Sequence, residues 1–183
     1  MSKSLNRRNC LRGSAVVGAG ALATPAIADG QGVKHLIKAA QQLAVQRFVL
    51  VSSLGVERKD QFPFNVLNAY GVLDAKAMAE SALRNSGLKY TIVRPGRLID
   101  GPYTSYDLNT LIKASTDGKQ GVVLGSGDRL LGQTSRKDVA AVCVECLQTT
   151  AVANKTFEII NQGERPAAIA WPDLFSKLAG ETV

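Results

Sequence analysis

Two continuous apolar runs, each closed by a polar or glycine-rich turn, constrain this chain more than anything else in it. They are Arg47-Phe-Val-Leu-Val-Ser-Ser53 and Lys89-Tyr-Thr-Ile-Val-Arg94-Pro95-Gly96. A strand with no polar alternation is buried on both faces, which is the mark of a parallel sheet with helices on either side. Helical spacing precedes each run. Over residues 32–44 the apolar positions Val33, Leu36, Ile37, Ala40 and Leu43 fall on one stripe. A second helix is expected over residues 69–85, stopped by Ser86-Gly87. Helix, strand, helix, strand is repeated βα architecture, and ligands in such sheets lie beyond the C-terminal strand ends. Those ends are Ser52-Ser53 and Arg94-Pro95-Gly96.

Further on, a short helix is expected over residues 107–115, a strand over 121–124 and a turn at Gly125-Ser-Gly-Asp128. Ser135 is placed as the N-cap of a helix running to Gln148, with Asp138 as its N3 acid. A strand over 155–160 and a terminal helix over 172–179 complete the order. With 183 residues, 45% of them hydrophobic, the chain has room for one domain and a sizeable core.

Residues 1–28 differ from the rest. Lys3, Arg7, Arg8 and Arg12 supply four of the net seven positive charges, with no acid among them. A small-residue apolar stretch follows and ends in Ala26-Ile27-Ala28. The primary reading is a leader: a basic start, an apolar middle and an A-x-A site, with Arg7-Arg8 resembling a twin-arginine export motif. That places the protein in a plastid or thylakoid, or exports it; the alternative location is cytoplasmic. The structural alternative is a buried strand over residues 14–20, a remnant of a first sheet half. Gly13, Gly18 and Gly20 do not have the spacing of G-x-G-x-x-G. Once this segment is set aside the basic residues are scattered among acids, so nucleic-acid binding is not expected. No apolar run is long enough for a stable membrane span. The organisation expected is a leader-like segment at 1–28 and a single partial Rossmann-like domain at 29–183.

Three further features read as structural. His35 lies on the polar side of its helix with no second ligand nearby. Cys143 and Cys146 are mid-helix and flanked by apolar residues, and read as core thiols rather than a zinc or redox pair. The Gly125–Asp128 turn lacks the Lys-Ser/Thr partner of a phosphate loop.

Phe48-Val-Leu-Val-Ser-Ser53, Ala75-Lys76 with Glu80, Ser86-Gly-Leu-Lys-Tyr-Thr-Ile-Val-Arg-Pro-Gly96 and Ser135-Arg-Lys-Asp-Val-Ala140 together resemble the atypical short-chain dehydrogenase/reductases of cyanobacteria and plastids. The resemblance covers roughly residues 30–180. It implies an α/β, Rossmann-like three-layer parallel sheet, here N-terminally truncated, without the glycine-rich half that holds a dinucleotide pyrophosphate. It also implies NADP or NAD as cofactor, bound weakly without that loop, and an open sheet edge that wants a protein partner or larger complex.

Reductases of this type carry a tyrosine four residues before a lysine, so that the cation favours the phenolate. Here the lysine is Lys76, but Val72 stands four residues earlier, and the nearest tyrosine, Tyr70, falls on another helical face. Ser53, Tyr70 and Lys76 are the weak catalytic candidates. The cofactor-binding candidates are Ser52, Ser53, Lys76, Arg94, Pro95 and Gly96. Three functions remain open: a dinucleotide-binding factor without tyrosine–lysine catalysis, a structural subunit of a membrane-associated complex, or an active oxidoreductase or epimerase.

Overall fold

The structure is a computed structural model, and it describes residues 14–18, 26–99 and 118–178. The helix expected over 107–115 lies outside the described residues. The described elements, in order, are β1 (Ser14–Gly18), α1 (Ala26–Gln42), β2 (Arg47–Val51), α2 (Phe64–Leu67), α3 (Val72–Arg84), β3 (Tyr90–Pro95), β4 (Arg97–Ile99), β5 (Gln120–Gly125), β6 (Gln133–Ser135), α4 (Arg136–Gln148), β7 (Lys155–Glu164) and α5 (Trp171–Ser176).

Strands β1, β2, β3 and β7 lie side by side and parallel, in register Val16↔Val49, Val49↔Thr91 and Val93↔Phe157. β5 runs antiparallel along β7. β4 and β6 continue the sheet as a short parallel pair, and β6 touches β7 at Gln133↔Asn161. The two apolar runs are therefore adjacent central strands, as their uniform hydrophobicity requires. Alternate side chains go to opposite faces. Phe48, Leu50 and Ile92 pack with Val33, Ile37, Ala79 and Leu83 of α1 and α3. Val49 and Val93 pack with Val139, Val142, Cys143 and Cys146 of α4 and with Phe175 of α5. A parallel sheet between two helix layers is the expected three-layer architecture.

Four details differ from the sequence expectation. Helix α1 begins at Ala26, ahead of Gly30 and Gly32. A Cβ at Gly30 would lie in ordinary contact, 3.5 Å from Ala75 O and Met78 Sδ, so α1 passes close against α3 there. Helix α3 begins at Val72 rather than at residue 69, because Gly71 takes left-handed backbone angles (φ 70°) and separates it from α2. β7 runs ten residues to Glu164, its second half held by β5. β4 and β6 were not expected; each has three residues, and Pro95-Gly96 reads as a stop. At Gly96 a Cβ would meet Gly132 O at 2.5 Å, so the glycine lets the chain cross close to the β6 segment. The N-cap at Ser135 forms as expected, its hydroxyl accepting from Lys137 N.

Candidate functional site

The C-terminal ends of β2 and β3 are joined to α3 by a buried charged network centred on Glu80. Glu80 is fully buried on α3. Its Oε1 accepts from Ser52 Oγ at 2.5 Å and from Arg94 Nε at 3.0 Å. Its Oε2 accepts from Arg94 Nη2 at 2.6 Å and Arg84 Nη2 at 3.1 Å. Arg94 is only 2% exposed, and its Nη1 reaches Glu57 Oε1 at 2.8 Å. Burial alone would weaken the Arg94 charge. The bonds to Glu80 and then Glu57 outweigh it and hold the guanidinium above its ordinary range. This fork of two parallel N–H bonds is the geometry that makes arginine the preferred partner of a buried carboxylate.

Among the sequence candidates, Ser52 and Arg94 are thus brought together, through Glu80. Ser53 is half-buried, and its Oγ donates to Leu54 O. Lys76 is half-buried one turn before Glu80 on the same face of α3. Val72 lies one turn earlier again and is 39% exposed. Tyr70 precedes α3 and is 88% exposed. Pro95 closes β3, and Gly96 N donates to Ile159 O and Thr134 Oγ1.

A second clamp fixes the loop after β2. Asp128 is buried, and its carboxylate accepts from Gly55 N and Glu57 N, both at 2.8 Å, and from Arg58 Nη2 at 3.3 Å. Gly55 (φ 86°) sits under the Phe64 ring, 2.0 Å from where a Cβ would meet Cδ1. Arg58 covers the other part of that ring at 4.7 Å from its centroid. The segment leaving Ser53 is therefore tied to the turn after β5.

Sequence reasoning missed three of these residues: Glu57, Glu80 as the hub, and Asp128 as the clamp. Glu80 had a signal. It stands beside Ala79 and Leu83 on the buried stripe of α3, where an acid requires a cation. Asp128 had none, since its partners are backbone amides about seventy residues away. His35 is exposed, and Cys143 and Cys146 are buried in α4, where burial pushes the Cys143 thiol up to about 11. No metal-binding group of side chains occurs among the described residues.

Toward a nicotinamide dinucleotide the fit is one-sided. Ser53 and Lys76 are half-buried polar residues after β2 and on α3, while the Pro95-Gly96 turn is buried and packed against Gly132. The pyrophosphate end has no glycine-rich strand-to-helix loop among the described residues, and Ser52 and Arg94 are already engaged by Glu80.

A parallel sheet between two helix layers, with its polar turns gathered at the strand C-termini, defines a Rossmann-type nucleotide-binding fold. The chain belongs to the NAD(P)H-binding family, whose model matches residues 7–150. An uncharacterised chloroplastic protein of Arabidopsis thaliana is 34% identical over 165 residues, 86% of this chain and 53% of that protein. Sanguinarine reductase of Eschscholzia californica is 31% identical over 149 residues, 79% of this chain and 48% of that enzyme. The chain thus spans about half the length of these relatives. Among solved structures, a putative NAD-dependent epimerase/dehydratase from Bacillus halodurans superposes with a TM-score of 0.64 at 30% identity, covering 84% of this chain and 66% of the other.

Proposed function

We propose that this chain is a dinucleotide-binding factor that works by binding or assembly, without tyrosine–lysine reductase catalysis. The observation that carries the reading is the stripe Val72–Lys76–Glu80 on α3. Where the phenol would have to stand, one turn before Lys76, there is an apolar side chain, and Tyr70 lies outside the helix at the surface. Lys76 and Ser53 serve to bind nicotinamide ribose and amide groups, beside the buried Pro95-Gly96 turn. Arg94 and Ser52 act from behind, through Glu80, by fixing the strand ends. NADP or NAD is the cofactor, and its affinity for this chain alone is low. The test is NADPH and NADH oxidation by the purified chain with quinone, imine and aldehyde acceptors. The proposal expects no turnover above the protein-free rate, and turnover abolished by K76M would overturn it.

The family's plant members support a plastid or thylakoid setting, and the basic start of the chain supports a leader, either plastid-directed or twin-arginine-like. The cytoplasm is the alternative. β1 supports a different fate for residues 14–18, retention in the folded sheet. Mass spectrometry of the mature N-terminus separates the two: a start near Asp29 removes β1, and a start before Ser14 keeps it.

A second reading rests on the sheet edge. β1 ends the strand order, and its far edge carries no strand among the described residues. An open parallel edge favours pairing with another chain, so the protein serves as a subunit of a larger, membrane-associated complex. None of the helices among the described residues is long and apolar enough to cross a membrane. Native-mass measurement of the complex recovered from its source separates this reading from a free monomer.

A further inference from the structure

Past the end of β5 and beside the start of β7, a cleft of about 490 Å³ opens between the turn after β5 and the end of α5. It is lined by Leu124, Gly125, Ser126, Gly127 and Arg129, by Glu57, Arg94 and Thr156, and by Lys177 and Leu178. Its size lies in the range of small-molecule pockets, roughly 300–1,000 Å³. Its chemistry is set by which lining groups are already engaged. The Glu57 carboxylate is taken by Arg94 Nη1. Asp128, the acid of the turn, points its carboxylate away to Gly55 N, Glu57 N and Arg58. Glu57 is thus the one acid among the lining residues, and its charge is paired with that of Arg94.

What remains is cationic and donor-rich. Arg129 and Lys177 are exposed and have no ion-pair partner among the described residues. Ser126 Oγ is buried and has no hydrogen-bond partner. Thr156 Oγ1 accepts from Arg84 Nη2, which leaves its own hydroxyl proton to donate. A buried hydroxyl without a partner costs about 1–3 kcal/mol, so an acceptor brought to it gains an unmade bond. Arginine, ammonium and hydroxyl donors lining one polar cleft are the donor set for a phosphate group.

We propose that this cleft is a binding site for a small phosphorylated molecule, its phosphate held by Ser126, Arg129 and Lys177, with Leu124 and Leu178 against the carbon portion. The cleft's lining includes none of Ser53, Lys76 and Gly96, so phosphate binding is read without a dinucleotide. The loop that carries Ser126 and Arg129 is the one that Asp128 ties to Gly55 and Glu57, so occupancy also stabilises the segment leaving Ser53.

The test is calorimetric titration of the whole chain with inorganic phosphate in a chloride buffer of constant ionic strength, for wild type, R129Q, K177Q and S126A. The charge changes are at exposed positions, and melting without phosphate verifies that each variant folds. Wild type is expected to bind in the millimolar range or tighter. Each charge variant is expected to bind about tenfold more weakly, the loss of one charge-assisted bond, and added salt to weaken wild type most. R129Q is expected to keep any NADPH-induced thermal shift that wild type shows. Phosphate binding unchanged in all three variants, or absent from wild type, would overturn the site. So would loss of the NADPH shift in R129Q, which would make the cleft part of the dinucleotide site instead.

Discussion

Replacing Glu80 by methionine removes the acceptor of four hydrogen bonds, two from Arg94 and one each from Ser52 and Arg84. Arg94, 2% exposed, would keep only Glu57, which is itself more than half exposed. Breaking a buried pair by deleting one partner costs about 3–5 kcal/mol, because the remaining charge stays desolvated. E80M should fall in that range. R94M should cost less, about 2–4 kcal/mol on the same basis, since Glu80 retains Ser52 and Arg84. The decisive variant is E80M/R94M. Both charges leave together and two flexible apolar side chains fill the space, so the double variant should be more stable than the sum of the single losses predicts, by at least about 1.5 kcal/mol. Urea unfolding followed by circular dichroism gives the free energies, provided the slope with denaturant stays constant. In melting temperature, a loss of about 4 kcal/mol lowers a domain of this size by about 8–16 °C. Additive losses, or a cost below about 1 kcal/mol for E80M, the level of a surface pair, would refute the claim that one buried pair ties α3 to the end of β3.

Other expectations follow from the same geometry. G55A should destabilise by about 3 kcal/mol or more, since the left-handed backbone and the Phe64 ring both reject a Cβ there; a Tm within 2 °C of wild type, on the order of 1 kcal/mol or less, would contradict the contact. D128A should cost about 2–4 kcal/mol and raise hydrogen exchange at Gly55 and Glu57, whose amides it releases. Asp138 is held below its ordinary pKa, burial pushing it up but Arg165 and Asn161 pulling it further down. The folded value therefore lies below the unfolded one, so its contribution is present above the ordinary carboxylate range and is lost as pH falls through the folded value; D138N should flatten that acid limb of a stability–pH profile. The Cys143 thiol, pushed up to about 11 by burial, should resist a thiol reagent at pH 8 until the chain is unfolded.

Legibility from sequence divides along physical lines. Phe48–Val51 and Tyr90–Val93 announced central strands because a strand covered on both faces has no reason to alternate, and the structure places them side by side. The α4 cap at Ser135 was legible because capping is local. The start of α3 was not, because the pattern of apolar residues runs through Gly71 and only its backbone angle breaks the helix. Lys76 was singled out by the family resemblance, and the apolar Val72 one turn before it is read directly from the sequence. The bonds of Ser52 and Arg94 to Glu80, across 28 and 14 residues of chain, were not legible. Long-range pairing of this kind leaves no local trace, except that an acid on a buried stripe has to be answered by a cation.

The central claim is that the chain binds a nicotinamide dinucleotide although it lacks the tyrosine–lysine pair. The most direct measurement is thermal shift of the purified chain, its N-terminus fixed by mass spectrometry, in rising NADPH and NADH up to the millimolar range. A ligand of the native state raises Tm in proportion to the logarithm of its concentration above Kd. The account predicts a saturating onset followed by that rise for at least one of the two, reduced in K76M. A Tm unmoved by either dinucleotide at millimolar concentration, with β1 intact in the sample, would contradict it.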